Sequence, residues 1–464
     1  TKTDTYLKIN DLKRIINFSE TSLKGLEEKG FISIQKIKIN RIDDNKKYDQ
    51  KTNKLSKVQQ VALNEINNQL KKKDVVILEG VTSSGKTEIY MKIIESYLNS
   101  GQQVLYLLPE ISLTTQIIQK LKTNFGDKIS VFHSRYSLNE RTEVWESIKL
   151  NKESSRLIVG TRSSVFLPFN KLGLVIVDEE HETSYKQQDP SPRYNARDSA
   201  IYLSVLNNSK VILGSATPSI ESSYNAKNEK YGYVMLKERF GDIEMPDIIP
   251  LDMRSEIKNE YSSIFSEKLV QEVHSTLKLN KQVILFRNRR GYSPQWICDS
   301  CGNNIMCDNC DVSLTYHSSS NMLKCHYCGF SSKAEIRCNS CGSEAMSFKG
   351  DGTQQIEEIV KELFPNAISK RMDWDTTRGK FSFDKIINSF AKQEIDILIG
   401  TQMITKGLDF KNIGLVGVIN TDHFLNFPDF RAHEKAFQTL TQVAGRSGRS
   451  GDRGKVLMQT YQPE

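Results

Sequence analysis

Outside residues 298–341, this 464-residue chain contains no cysteine. It has no run long and apolar enough to cross a bilayer as a helix, so a membrane partner is not expected. It has no signal peptide, so a reducing, cytoplasmic home is expected and a disulfide framework is not. No internal repeat is evident. Thr1 stands where an initiator methionine would, so the chain reads as a piece of a longer one.

What is present is a soluble, globular composition of several domains, 38% hydrophobic and 26% charged. Lys and Arg outnumber Asp and Glu by 64 to 56, and by 13 to 8 within residues 1–54. That concentration of positive charge suits a polyanionic partner. The eight cysteines form four C-x-x-C pairs: Cys298/Cys301, Cys307/Cys310, Cys325/Cys328 and Cys338/Cys341. Two thiolates three residues apart can grip one tetrahedral ion. Four pairs therefore predict two closed, structural zinc sites. Spacing allows either a sequential or a nested pairing.

Residues 1–42 read as helix, helix, strand: Asp11 caps a first helix, Ser19 or Thr21 caps a second that ends at Gly30, and Phe31–Ile39 alternates. This is the end of a winged-helix pattern, here a partial domain. Residues 43–54 are a polar, charged linker. From Leu55 the chain alternates strand and helix. Apolar runs at Val75–Leu78, Val104–Leu108, Leu157–Val159, Leu174–Val177 and Val211–Leu213 predict a parallel sheet covered on both faces. A second series follows at Val283–Phe286, Ile395–Ile399, Leu415–Ile419 and Val456–Gln459. The expected fold is α/β, with a first lobe over 55–240 and a second over 241–297 and 342–464. The cysteine-rich module, 298–341, interrupts the second lobe.

Gly80-Val81-Thr82-Ser83-Ser84-Gly85-Lys86-Thr87 matches the phosphate-binding loop G-x-x-x-x-G-K-[ST] between a strand and a helix. Its backbone N–H groups would cradle phosphates, Lys86 would reach the β- and γ-phosphates, and Thr87 would ligate Mg²⁺. The buried run Leu174–Val177 ends in Asp178-Glu179-Glu180-His181. Asp178 is placed for the Mg²⁺ shell and Glu179 for orienting and deprotonating water.

With these, the chain resembles superfamily 2 helicases. Gly214-Ser215-Ala216-Thr217-Pro218 matches their S-A-T motif. The run Gly400 to Asp409 resembles their motif V, which implies nucleotide contacts for Gly407 and Asp409. Gln442-Val443-Ala444-Gly445-Arg446-Ser447-Gly448-Arg449 matches their motif VI, which implies that Arg446 and Arg449 enter the ATP site from the second lobe, one as an arginine finger. The closer resemblance is to the bacterial PriA family of replication-restart helicases. It rests on the P-loop phrase continued by Glu88, on Asp178-Glu179-Glu180-His181 with Tyr185-Lys186-Gln187 and Pro192 to Asp198, on Phe286 to Tyr292, and on the eight cysteines. At Gly350-Asp351-Gly352-Thr353-Gln354 that family usually has Glu after the Thr.

The resemblance implies two RecA-like lobes, ATP, Mg²⁺ and two Zn²⁺. It pairs Cys298, Cys301, Cys338 and Cys341 on one zinc and Cys307, Cys310, Cys325 and Cys328 on the other. It implies an adenine-reading role for Gln59, and a DNA-coupling, aromatic-rich loop carrying Tyr185, Arg193 and Tyr194. Aromatic faces in such a loop stack on bases and Arg193 meets phosphate. Thr161, Arg162, Ser215 and Thr217 would lie along the DNA path or couple it to the ATP site. The implied activity is ATP-dependent 3′-to-5′ translocation and unwinding at stalled forks, with single-stranded and forked DNA as partners. The implied partners are primosome and helicase-loading proteins and single-stranded DNA-binding protein, at the bacterial nucleoid. The competing reading is a fork-binding scaffold that recruits those proteins without needing ATP hydrolysis.

Overall fold

A computed structural model describes residues 12, 16, 18–34, 55–109, 115–133, 136–241, 244–254, 264–287, 295–298, 300–310, 312–317, 322–333, 337–349, 353–373, 376–377, 382–401, 404, 410, 412–448 and 453–463. The chain divides into two compact units, Thr1–Asn45 and Lys46–Glu464. In the first, Ser19 Oγ accepts from Ser22 N–H and caps the helix Glu20–Glu28. The expected strand over Phe31–Ile39 does not begin within Phe31–Ile34, and its remainder and most of the winged-helix pattern lie outside the described residues.

The second unit holds two all-parallel sheets. In lobe 1 the strands are β1 (Val75–Gly80), β2 (Gln103–Leu107), β3 (Ile129–Phe132), β4 (Leu157–Gly160), β5 (Leu172–Asp178), β6 (Lys210–Ser215) and β7 (Gly232–Leu236), in spatial order β3-β4-β2-β5-β6-β1-β7. In lobe 2 they are β8 (Asp247–Asp252), β9 (Gln282–Phe286), β15 (Ser369–Met372), β16 (Ile397–Gly400), β17 (Ile413–Val418) and β18 (Lys455–Thr460), in order β15-β16-β9-β17-β18-β8. The strands between β9 and β15 belong to the cysteine-rich module. Central strands such as β2 and β5 are buried throughout because helices cover both faces, and this is why they read as unbroken apolar runs. Each lobe accordingly has two apolar layers, one on either side of its sheet.

Strand order places the chemistry. β6 lies between β1 and β5, so the loop after β1, Ser215 at the end of β6 and Asp178 at the end of β5 share one rim. This rim is the carboxyl edge, where open α/β sheets bind ligands. Among the described residues no helix is long and apolar enough to cross a membrane.

The inserted module opens with an antiparallel neck, β10 (Gln295–Cys298) against β14 (Met346–Lys349). Inside it, β11 (Thr315–His317), β12 (Met322–Lys324) and β13 (Ser331–Lys333) form a three-stranded sheet over a small apolar cluster around Leu314 and Leu323. Hydrogen bonds fasten the module to lobe 2. Ser313 Oγ donates to Asn426 O, and Gln462 Nε2 donates to Gly302 O at 3.1 Å.

Candidate ATP site and metal centres

The P-loop runs from β1 into the helix Lys86–Asn99. The helix begins at Gly85, whose φ of 84° is left-handed and whose missing side chain leaves the first-turn N–H groups without a side-chain cap. A loop ending on such a helix N-terminus suits phosphate. Lys86 Nζ folds back across the loop and donates to Gly80 O at 2.6 Å. Thr87 follows on the first turn, half-buried.

Gln59 is 2% exposed and both ends of its amide are engaged. Oε1 accepts from Ser56 N–H at 2.9 Å, completing a capping box for the helix Lys57–Lys72, and Nε2 donates to Ser84 O at 3.3 Å. A Cβ on Gly85 would fall 2.0 Å from that Nε2, so glycine is required twice over at 85. Gln59, expected to read adenine, also braces the P-loop from behind.

Asp178 is buried at the end of β5. Tyr106 Oη donates to its Oδ2 at 3.1 Å, while Tyr90 Oη and Glu179 N–H donate to its Oδ1 at 3.3 and 3.1 Å. Burial, then the neighbouring Glu179, push its pKa up to about 6, and Lys86 opposes the rise. Tyr90 is packed so closely on β6 that a Cβ at Gly214 would fall 1.6 Å from its hydroxyl. Neither tyrosine belongs to a recognisable motif, and the sequence reading missed both.

Glu179 takes the left-handed backbone, with φ at 48°. It meets lobe 2 directly. Gln442, on the helix Ala432–Ala444, donates from Nε2 to Glu179 Oε2 at 3.3 Å and to His181 Nε2 at 3.0 Å. With the amide so oriented, His181 Nε2 accepts and its proton sits on Nδ1, which donates to Ser215 Oγ at 2.7 Å. Ser215 Oγ also accepts from Thr217 N–H at 2.9 Å. A chain of hydrogen bonds thus runs from the S-A-T segment through His181 to lobe 2. Glu180, which no motif role covered, is 2% exposed. It accepts from Ser219 N–H at 2.6 Å and Arg197 Nη1 at 3.0 Å, tying β5 to the start of the helix Ile220–Lys227.

Arg446 lies in the turn after the Gln442 helix, 9% exposed. The preceding Gly445 rests on the P-loop, where a Cβ would fall 2.2 Å from Thr82 Oγ1. Val81 and Ser83 complete the loop, Ser83 with φ at 65°. Gly407, Asp409 and Arg449 lie outside the described residues, as do 288–294.

Tyr185 is not placed to stack on a base. It is 1% exposed, and its hydroxyl lies 2.7 Å from Asp178 O and 3.0 Å from Leu107 O, locked behind the acidic residues. Its one phenolic proton is offered to strand-end carbonyls behind the acidic residues. The accessible members of that loop are Arg193, which is exposed, and Tyr194, which meets the exposed Phe166 edge-on at 4.9 Å. Arg162 Nη1 donates to Ser184 O at 3.5 Å, beside Thr161. Arg162, Lys186 and Gln442 share a cleft of about 980 Å³ between the lobes, into which Tyr327 of the cysteine module also projects.

The thiols group as Cys298, Cys301, Cys338 and Cys341 and as Cys307, Cys310, Cys325 and Cys328, with the sulfurs of each group within 4.8 Å. The pairing is therefore nested, as the family resemblance implied and spacing left open. Three pairs continue into glycines with left-handed φ, Gly302, Gly329 and Gly342. Their N–H groups donate to Cys298 O, Cys325 O and Cys338 O at 2.8, 3.0 and 2.8 Å. Phe330 N–H donates to Cys328 Sγ at 3.4 Å, and this contact draws that thiol down to about 7. Four sulfurs at such spacing, in turns shaped to hold them, fit one tetrahedral Zn²⁺ per group.

Family comparison agrees with this layout. Residues 56–225 match the DEAD/DEAH box helicase model and 351–451 the helicase conserved C-terminal domain. Residues 307–333 match the PriA DNA helicase Cys-rich region domain. The replication restart protein PriA of Bacillus subtilis (strain 168) is 45% identical over 389 residues, covering 84% of this chain and 48% of that protein. The chain belongs to the PriA family. Its relative in Chlamydia muridarum (strain MoPn / Nigg), also a replication restart protein PriA, is 39% identical across 100% of this chain and 62% of that protein. The chain spans about half the length of the curated PriA relatives it matches. Among solved structures, RecG bound to a three-way DNA junction aligns with a TM-score of 0.50 at 15% identity, over 88% of this chain and 43% of RecG. The DUF1998 helicase MrfA bound to DNA aligns at 0.52 and 13%, over 88% of this chain and 46% of MrfA. Both share the two-lobed fold.

Proposed function

We propose that this chain is the motor of a PriA-type, ATP-dependent 3′-to-5′ DNA helicase that remodels stalled forks for replication restart. The observation that carries the reading is Gln442. A lobe 2 side chain touches Glu179, the residue assigned to orient and deprotonate the attacking water, and touches it across the cleft. Hydrolysis then depends on how the lobes meet, which is how nucleotide state becomes motion. Thr87 and Asp178 are the oxygens that would hold Mg²⁺, whose positive charge would neutralise the phosphates. Lys86 supplies positive charge at the phosphates and Gln59 holds the P-loop in shape. Arg446 and Arg449 neutralise charge that develops on the transferred phosphoryl group, an effect worth roughly 10³–10⁵ in rate in nucleotide hydrolases.

Arg193, Tyr194, Thr161 and Arg162 are the DNA-facing groups of lobe 1. Ser215 and Thr217 couple them to the ATP site through His181. The zinc module works at the DNA path or as a docking platform. Its partners are primosome and helicase-loading proteins and single-stranded DNA-binding protein, in the bacterial cytoplasm.

The test is ATP hydrolysis with and without forked DNA, in the wild type and in Lys86→Ala. DNA should stimulate the wild type, and the variant should be inactive. Hydrolysis indifferent to DNA, or retained without Lys86, would sink the motor reading.

A further inference from the structure

The segment joining the lobes lies along the P-loop. Val81 N–H donates to Leu236 O at 3.2 Å, and Phe240 N–H donates to Ser83 O at 3.0 Å. Between these contacts Arg239 turns inward and is 5% exposed. Its Nη2 donates to Thr82 Oγ1 at 3.4 Å. Its Nη1 donates to Ser447 O at 3.3 Å and lies 3.5 Å from both Gly448 O and Glu244 O. The guanidinium therefore touches the P-loop of lobe 1 and the turn of lobe 2 that carries Arg446. The same turn presses Gly445 onto Thr82. No motif covers Arg239.

We propose that Arg239 is a positioning residue for ATP hydrolysis. It clamps the Arg446 turn on the P-loop, so that the lobe 2 arginine is aligned with the phosphates when the cleft is closed. Only a planar fork can serve both sides at once, because its two ends donate in different directions from one rigid plane. The linker that must flex when the lobes part is also the segment that carries the clamp. Parting the lobes thus separates Arg239 from the Arg446 turn, and each cycle of closure restores the contact.

This inference rests on the motor reading above, and its test separates the two. Steady-state hydrolysis is measured with forked DNA for the wild type, Arg239→Ala, Arg239→Lys, Thr82→Val and the Arg239→Ala/Thr82→Val double variant. Binding of a fluorescent ADP analogue and thermal melting are followed on the same samples. Arg239→Ala should lose about 10- to 100-fold in kcat, the range for losing a charged hydrogen bond in a dry site. KM and ADP affinity should move less than about threefold, since the P-loop keeps its own contacts. Arg239→Lys, whose ammonium reaches one side only, should fall between. The double variant should lose less than the product of the single losses, because both delete one shared contact.

A wild type that does not hydrolyse ATP sinks the motor reading itself. An active wild type matched in kcat by Arg239→Ala sinks the clamp and leaves the motor standing. A loss of kcat that tracks equal losses of ADP affinity and melting temperature makes Arg239 a packing residue and also overturns the proposal.

Discussion

Replacing Asp178 with Asn should stabilise the protein while removing the carboxylate proposed to hold Mg²⁺. Asp178 is buried, and burial together with Glu179 lifts its carboxyl from the ordinary 3.8 to about 6. A raised pKa means that the native state holds the proton more tightly than the unfolded chain does. The associated stability is present below about pH 4 and is lost as pH rises through about 6. At about 1.4 kcal/mol per pH unit, the ionised side chain costs about 3 kcal/mol at pH 7.5. Asparagine removes that cost. It keeps one carbonyl oxygen for Tyr90 and Glu179 N–H, but it presents an amide N–H to Tyr106, whose own proton then lacks an acceptor. That loss is worth about 1 kcal/mol. The net gain is about 2 kcal/mol at pH 7.5, falling below about 1 kcal/mol at pH 5, where the wild-type carboxyl is largely protonated. Scanning calorimetry of both proteins at the two pH values reads the difference, and hydrolysis with Mg²⁺ should be lost throughout. A variant no more stable than wild type at pH 7.5, or one whose advantage grows toward pH 5, would refute the reasoning.

Gly214→Ala puts a methyl group on the Tyr90 hydroxyl and forces Tyr90 away from Asp178, a loss of about 1–3 kcal/mol that thermal melting would detect. Tyr185→Phe removes the single phenolic proton shared between the Asp178 and Leu107 carbonyls and should cost about 1–2 kcal/mol in urea unfolding, with DNA affinity unchanged. Equal weakening of DNA binding would restore Tyr185 to the DNA surface. Elemental analysis should find about two zincs per chain, and about one in Cys338→Ser, because each nested group closes independently. Loss of both metals in that variant would mean that the two sites fold as one.

The strands legible in the sequence were the buried ones. Each apolar run corresponds to an interior strand, where two-sided covering leaves no polar alternation. Within the two parallel sheets, the unforeseen strands β3, β7, β8 and β15 are the outer ones. There one side meets solvent, as in the alternating exposure of β7, and short polar segments such as Ser369–Met372 carry little pattern. The ATP site was legible where its chemistry demands a spacing, as in the P-loop and Asp178-Glu179. The residues that hold those groups were not. Tyr90, Tyr106, Glu180 and Arg239 make hydrogen bonds between segments far apart in the chain, and no local spacing encodes that. Tyr185 shows the converse: an aromatic in a loop rich in them reads as a stacking surface until the fold buries it.

The neck formed by β10 and β14 has a consequence for how lobe 2 assembles. β9 must find β16 across the whole insertion. Pairing Trp296 with Phe348 removes more than half of the chain between β9 and β15 from that search. Yet loop entropy grows only logarithmically, at about 0.6 kcal/mol per doubling, so the closed neck is worth less than about 1 kcal/mol to the lobe. In energetic terms the module is a guest whose presence costs lobe 2 little. Stripping the zincs should therefore silence whatever the module contacts while leaving the lobe that supplies Arg446 folded.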